Sequence, residues 1–361
     1  MNSRPEKILV VDDSALYRQS IRNVLHDFED VHVVGTAKDG VDALEKIQQY
    51  DPDLLTLDVQ MPDMNGIELL REIKRRRLRP KAIMVSSYTS SGAQVTTEAL
   101  MEGAFDFILK PSSNDSAANR KKLGEALQQK ISAFRGSFFA ATRGTAGSGD
   151  APSGREKAVD SIPTAQSECR AVIIGTSTGG PAALKTVLPR IPKDLPVPVL
   201  VVQHMPATYT LSLANRLNEI CDLDVVEATD KMDAQPGRVI VAAGGKQMKL
   251  VANEGRMIVR VTDGPREHGV CPSADYLIRS AATELDGNLL AVIMTGMGRD
   301  GLEGCRILKQ AGGFVFAQCQ SDCIVYGMPK AVIDQQLADR ILPLGKIAPA
   351  IVRHIKRSRS T

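Results

Sequence analysis

Short, mainly apolar runs recur along both halves of the chain, and most are followed by a turn and a stretch of helical period. In the first half they are residues 7–11, 31–35, 54–57, 82–85 and 107–109; in the second, 170–174, 198–203, 239–243 and 289–294. A run that is apolar on both faces suits a strand buried inside a parallel sheet. Strands alternating with helices therefore predict an α/β fold, with parallel sheets wound by helices on both faces. At 361 residues the chain is long enough for two such domains, each with its own core.

In a sheet of this kind chemistry is placed beyond the carboxyl ends of the strands. In the first half those ends carry Asp12 and Asp13, Asp58, Ser86 and Lys110. Carboxylates converging in one crevice repel each other, and a hard divalent cation such as Mg2+ relieves the repulsion through oxygen ligands. Lys110 adds an opposite charge and Ser86 a hydroxyl. One acid at one strand end is ordinarily a solvated cap; four strand ends delivering this set together are not.

With the acidic pair, Asp58 in Thr56-Leu57-Asp58-Val59-Gln60-Met61-Pro62, Ser86 and Lys110-Pro111, the first half resembles the receiver domain of two-component response regulators. The resemblance implies a flavodoxin-like sheet in which Asp58 accepts a phosphoryl group from a histidine kinase. It further implies Mg2+ held by Asp13, Asp58 and the Gln60 carbonyl, with Asp12 helping to set the site. Ser86 and Lys110 would bind the phosphoryl oxygens, Phe107 would be the switching aromatic, and the Lys110–Pro111 bond would be cis. The receiver is expected over residues 6–134, with a last helix at 117–134. The basic run Lys74-Arg75-Arg76-Arg77 is most simply an exposed helix end, with a docking face as the alternative. Residues 135–168 are rich in Gly, Ser, Ala and Thr and predict a flexible linker, in which Phe138-Phe139 is the apolar exception, able to dock on a domain surface.

The second half, residues 169–355, is organised around Gly175-Thr176-Ser177-Thr178-Gly179-Gly180-Pro181. A strand leads into this turn and a helix leaves it, with a proline where the first helical amides have no internal partner. The turn fits the G-x-S-x-G pattern of serine hydrolases, a phosphate cradle, or a strand-to-helix turn with no chemistry. Partners elsewhere decide. His204 ends one later strand, and Asp300 lies in the glycine-rich loop after another, so both share the same edge of the sheet as Ser177. A strand end fixes a general base, which favours His204; His268, in a loop, is the second candidate.

The serine turn, Gln203-His204-Met205-Pro206 and Met294-Thr295-Gly296-Met297-Gly298-Arg299-Asp300-Gly301 are together similar to the methylesterase domain of the CheB family of bacterial chemotaxis. The resemblance implies hydrolysis of γ-glutamyl methyl esters on chemoreceptors, and deamidation of glutamines there, by a Ser177, His204, Asp300 triad. The oxyanion donors would be backbone amides near Met297 and Thr178, and no cofactor is expected for the esterase. The fusion predicts autoinhibition: the unmodified receiver covers the crevice around Ser177 until phosphorylation of Asp58 loosens it.

Composition narrows the classes. The net charge of +3 points to neither nucleic acid nor an anionic membrane. The six cysteines lack a C-x-x-C and read as reduced thiols. The polar N-terminal tip runs straight into a strand rather than a signal peptide, so a cytoplasmic monomer with no inserted segment is expected. A DNA-binding output is disfavoured by the absence of a basic recognition helix pattern. A dinucleotide oxidoreductase is disfavoured because Gln203-His204 ends the next strand, where a ribose-binding acid belongs.

Overall fold

The structure is a computed structural model and describes residues 4–87, 89–113, 115–143, 168–253 and 255–359. The chain divides into two compact units, Met1–Arg135 and Gly136–Thr361. Most of the expected linker, residues 144–167, and the side chains of Phe138 and Phe139 lie outside the described residues.

The first unit runs β1 (Glu6–Val11), α1 (Ala15–Leu25), β2 (Val31–Ala37), α2 (Gly40–Tyr50), β3 (Leu54–Asp58), α3 (Gly66–Arg75), β4 (Lys81–Ser86), α4 (Ser90–Glu102), β5 (Asp106–Leu109) and α5 (Ser116–Arg143). Its strands form one parallel sheet in the order β2-β1-β3-β4-β5. The central strands are apolar on both faces because both faces are covered: Ile8, Leu9, Val10, Leu54, Leu55 and Ile83 are fully buried. Local chemistry starts the helices. Ser14, Asp39 and Thr89 each cap an N-terminus with a side-chain oxygen, and Asn65 with Glu68 forms a capping box on α3. The basic residues at the end of α3 are exposed, with Glu72 pairing Arg75 and Arg76, as a solvated helix end should be. Helix α5 continues past residue 134 to Arg143. Leu123, Leu127, Ile131 and Phe134 fall on one face of it and are buried, Phe134 edge-on to Phe105 at 5.6 Å.

The second unit runs β6 (Ala171–Thr176), α6 (Gly180–Val187), β7 (Val199–Gln203), α7 (Ala207–Asn218), β8 (Asp224–Glu227), β9 (Met232–Asp233), β10 (Arg238–Val241), β11 (Gln247–Asn253), β12 (Arg256–Thr262), α8 (Ala274–Glu284), β13 (Leu289–Ile293), α9 (Leu302–Gln310), β14 (Phe314–Gln318), α10 (Met328–Asp334), β15 (Arg340–Leu342) and α11 (Leu344–Ser358). Seven of these strands form a parallel sheet in the order β15-β14-β13-β6-β7-β10-β8. A separate antiparallel layer, β11-β12-β9, was not read from the sequence. It anchors α8: the Leu250 amide donates to Ser280 Oγ at 3.2 Å, and the Ala252 amide to Glu284 Oε2 at 3.0 Å.

Strand β6 sits between β7 and β13, so the chain leaves it on one side through β7 and later returns to its other side through β13. This is the topological switch point, where an open α/β sheet leaves a crevice at its carboxyl edge. Among the described residues no helix is long and apolar enough to cross a membrane.

His354 has basic residues around it in the sequence, Arg353 and Lys356, yet it is buried on α11 against Phe314 at 4.6 Å and Phe316 at 5.7 Å. Its Nε2 has no hydrogen-bond partner. Burial above all pushes its pKa down to about 4, against Asp339 and with Arg340 and Arg357. The folded value lies below the unfolded one, so unfolding takes up a proton between about pH 6.5 and pH 4. The stability His354 carries is whole above that window and is lost as the pH falls through it. Urea melts of the full chain should show up to about 3 kcal/mol lost across it. His354→Leu should flatten that dependence.

Candidate active site and acidic pocket

Thr176 on β6 is in register with Gln203 on β7, so Ser177 and His204 are the next residues at one edge of the sheet. The His204 amide donates to the Thr176 carbonyl at 3.3 Å, and the Ser177 amide to the Thr295 carbonyl at 3.0 Å. The second bond ties the serine turn to the loop that follows β13. Gly296 in that loop lies against the serine: a Cβ there would be 2.8 Å from Ser177 Cβ and 2.4 Å from Met328 Sδ. Only a residue without a side chain lets the loop come so close.

Asp300 ends the same loop and is 2% exposed. Its Oδ2 lies 2.7 Å from His204 Nε2. The rest of the carboxylate is held by the start of α8. Oδ1 accepts from Ser273 Oγ at 2.8 Å and from the amides of Asp275 and Gly301 at 3.0 Å, and Oδ2 from the Ala274 amide at 2.7 Å. A helix N-terminus favours an anion through these unpaired amides and its dipole. Burial opposes the charge, but the His204 bond and the α8 amides prevail and hold the acid down to about 2. Asp300 is therefore ionised throughout the neutral range.

The structure brings His204 and Asp300 into contact and sets Ser177 beside them at the end of the neighbouring strand. Thr178 is buried in the turn, its carbonyl accepting from Thr295 Oγ1 at 3.0 Å; Met297 directly follows Gly296. His268 is elsewhere, 3.1 Å from Asp275 rather than on Asp300.

Sequence reasoning missed the polar frame beneath these groups. Gln203 Oε1 accepts from Thr176 Oγ1 at 2.6 Å, and its Nε2 donates to the Ser177 carbonyl at 3.0 Å. Gln318 Oε1 accepts from the Thr295 amide at 2.8 Å. The Asp300 cradle was missed too, although Ser273-Ala274-Asp275 carries the signal of a helix start, a capping serine followed by an acid. Gly180 leaves room for the frame: a Cβ there would stand 1.9 Å from Gln203 Oε1 and 2.6 Å from Thr176 Oγ1. Gly180→Ala is expected to displace Gln203 and destabilise the chain by about 1–3 kcal/mol, read by urea melts, with a parallel loss of hydrolytic activity.

In the first unit, carboxylate oxygens of Asp12, Asp13 and Asp58 all lie within 4.8 Å of one another. Lys110 Nζ bonds Asp12 Oδ2 at 2.8 Å and Asp58 Oδ2 at 3.0 Å, and lies 4.6 Å from the centre of the Tyr17 ring. Asp12 is already engaged, since its Oδ1 accepts from the Ser14 amide at 2.9 Å. Burial first, then the charge of Asp12, pushes the Asp58 acid up to about 6 against the pull of Lys110. A pocket of hard oxygens with more negative charge than one lysine offsets fits a small divalent cation. Ser86 ends β4 buried, its Oγ accepting from Thr96 Oγ1 at 2.7 Å. Phe107 is half-buried on β5, and Gln60 is exposed just past β3. The cis bond expected at Lys110–Pro111 is not observed. Among the described residues Cys271–Pro272 is cis, and Lys110–Pro111 keeps the trans form, favoured in X–Pro bonds by about 0.5–1 kcal/mol.

The chain is thus a two-domain α/β protein with a receiver-type acidic pocket in one unit and Ser, His and Asp on one sheet edge in the other. The family model of the CheB methylesterase matches residues 172–351, and that of the response regulator receiver domain residues 8–121. A relative from Desulfotalea psychrophila, named protein-glutamate methylesterase/protein-glutamine glutaminase, is 43% identical over 358 residues, covering 97% of this chain and 98% of its own. A relative of the same name from Thermotoga maritima is 38% identical over 357 residues, covering 98% and 99%. The crystal structure of the Thermotoga maritima CheB methylesterase catalytic domain is 39% identical, with a TM-score of 0.51 over 51% of this chain and 98% of that one. The chain belongs to the CheB methylesterase family, hydrolases in which a receiver domain precedes the catalytic domain.

Proposed function

We propose that this chain hydrolyses γ-glutamyl methyl esters on chemoreceptors, and deamidates glutamines there, under the control of phosphorylation at Asp58. The observation that carries the hydrolytic reading is the His204–Asp300 pair at the switch point, one strand from Ser177. Ser177 Oγ attacks the ester carbonyl while His204 takes its proton. With Nε2 bound to Asp300, the ring nitrogen left for that proton is Nδ1. The imidazolium then protonates the departing methoxide, and Asp300 stabilises it through both proton transfers. Backbone amides near Met297 and Thr178 are assigned to the developing oxyanion, each such donor contributing about 3 kcal/mol. Water attacks the acyl-serine by the same route in reverse and restores glutamate.

In the receiver, Asp58 takes the phosphoryl group from a histidine kinase. Asp13, Asp58 and the Gln60 carbonyl would hold Mg2+, with Asp12 keeping Lys110 in place. Bound Mg2+ supplies charge neutralisation for phosphoryl transfer. Ser86 and Lys110 bind the phosphoryl oxygens, and Phe107 reports the change.

Methanol release from methylated receptor membranes tests the hydrolytic reading: release that follows enzyme concentration supports it, and no release above background defeats it. For the control, Asp58→Asn is expected to abolish the rise in methanol release produced by acetyl phosphate. A variant still activated by that phosphodonor would place the switch elsewhere.

A further inference from the structure

We propose that His268, acting through Asp275, is a positioning residue for the catalytic carboxylate, closing the clasp between α8 and α9 in which Asp300 is fixed. The proposal rests on the triad reading above. Two acids exchange places across these helices. Asp300, just ahead of α9, sends its carboxylate into the amides at the start of α8. Asp275, in the first turn of α8, sends its own back, Oδ1 accepting from the Gly304 amide on α9 at 2.6 Å. The helices nearly touch there, since a Cβ on Gly304 would be 2.8 Å from Ile278 Cβ. The remaining oxygen of Asp275 meets His268 Nε2 at 3.1 Å.

Asp275 is 1% exposed, whereas the His268 side chain is 32% exposed, so the histidine reaches in from the rim. Its loop is closed by paired bonds between Glu267 and Val270. Glu267 accepts from Arg279 Nη1 at 2.8 Å, one turn further along α8. Adjacent loop residues therefore grip the same helix at two levels.

The groups facing Asp275 are Asp300, His268, Arg279 and the buried thiol of Cys305. Burial first and the charge of Asp300 next push the Asp275 acid up to about 6, with the Gly304 amide and His268 opposing them. Without His268, one buried carboxylate stands beside another and keeps only the Gly304 amide and the charge of Arg279 to favour its ionised form. Its hold on Gly304 then weakens, and with it the seat of Asp300 and of the His204 ring.

The test compares the native full chain with His268→Ala and His268→Gln. It reads the rate at which a phosphonofluoridate modifies Ser177 from about pH 5 to about pH 9, and kcat and KM for methanol release. Alanine is expected to slow modification and kcat about tenfold, to leave KM unchanged and to move the acid limb to higher pH, a part of the ~100-fold that an ångström of misplacement can cause. Glutamine, which keeps an N–H donor near the place of Nε2, should restore most of the alkaline rate. A native rate and pH profile in His268→Ala would overturn the proposal, as would equal losses in both variants that only track the folded fraction by circular dichroism. If the native chain formed no Ser177 adduct at all, the triad reading would fail and the proposal with it.

Discussion

Ser177→Ala is expected to abolish methanol release from methylated receptor membranes, with a fall in kcat of about a millionfold, the loss that removing the nucleophile of a serine triad produces. The variant should fold as the native chain does. The bonds that fix this turn run through the backbone of residue 177: its amide to the Thr295 carbonyl, and its carbonyl to the Gly180 amide and Gln203 Nε2. Alanine keeps all three. Unchanged urea melts together with lost turnover would assign the loss to the missing hydroxyl, whereas retained turnover would remove Ser177 from the reaction.

Asp300→Asn is expected to lower kcat by about 10⁴-fold, because the imidazole is then held in the wrong tautomer. The reason is specific to this cradle. Asp300 accepts from Ser273 Oγ, from the amides of Ala274, Asp275 and Gly301, and from His204 Nε2. An asparagine NH2 in place of Oδ1 would face two amides that can only donate, whereas in place of Oδ2 it faces one amide and the histidine, which can become an acceptor by changing tautomer. Stability should fall as well. The folded acid sits at about 2, below its unfolded value of 3.8, so its contribution is present above about pH 4 and is lost as the pH falls towards 2. Asn forgoes that contribution at neutral pH, about 2 kcal/mol, which urea melts of both chains would resolve.

The parallel sheets were legible because every central strand is apolar on both faces, as runs such as Val172-Ile173-Ile174 and Leu289-Leu290-Ala291-Val292-Ile293 require. The candidate sites were legible for a related reason, since strand ends are where side chains can converge: Asp58 ends β3, Ser177, His204 and Lys110 directly follow a strand, and Asp300 lies in the loop after β13. Other features left weaker traces. The β11–β12 hairpin buries Gln247, Met248 and Leu250 on one strand and Val259 on the other, with the rest half-exposed or exposed, a pattern easily hidden between stronger apolar runs. The Asp300 cradle is made largely of backbone amides, announced only by the helix-start signal at Ser273-Ala274-Asp275. Helix α5 outruns its expected end because residues 135–143 contain no proline to stop it, so composition suggesting a loop did not enforce one. The burial of His354 is masked by its basic neighbours, although its own face of α11 turns inward with Ile347, Ile351 and Ile355.

Phosphonylation followed by peptide mapping tests most directly whether the hydroxyl, imidazole and carboxylate act as one unit. The full chain would be treated with a phosphonofluoridate alongside His204→Gln. The account predicts a single adduct on Ser177 in the native chain and almost none in the variant. An adduct on another residue, or Ser177 modified as fast without the His204 imidazole as with it, would contradict it.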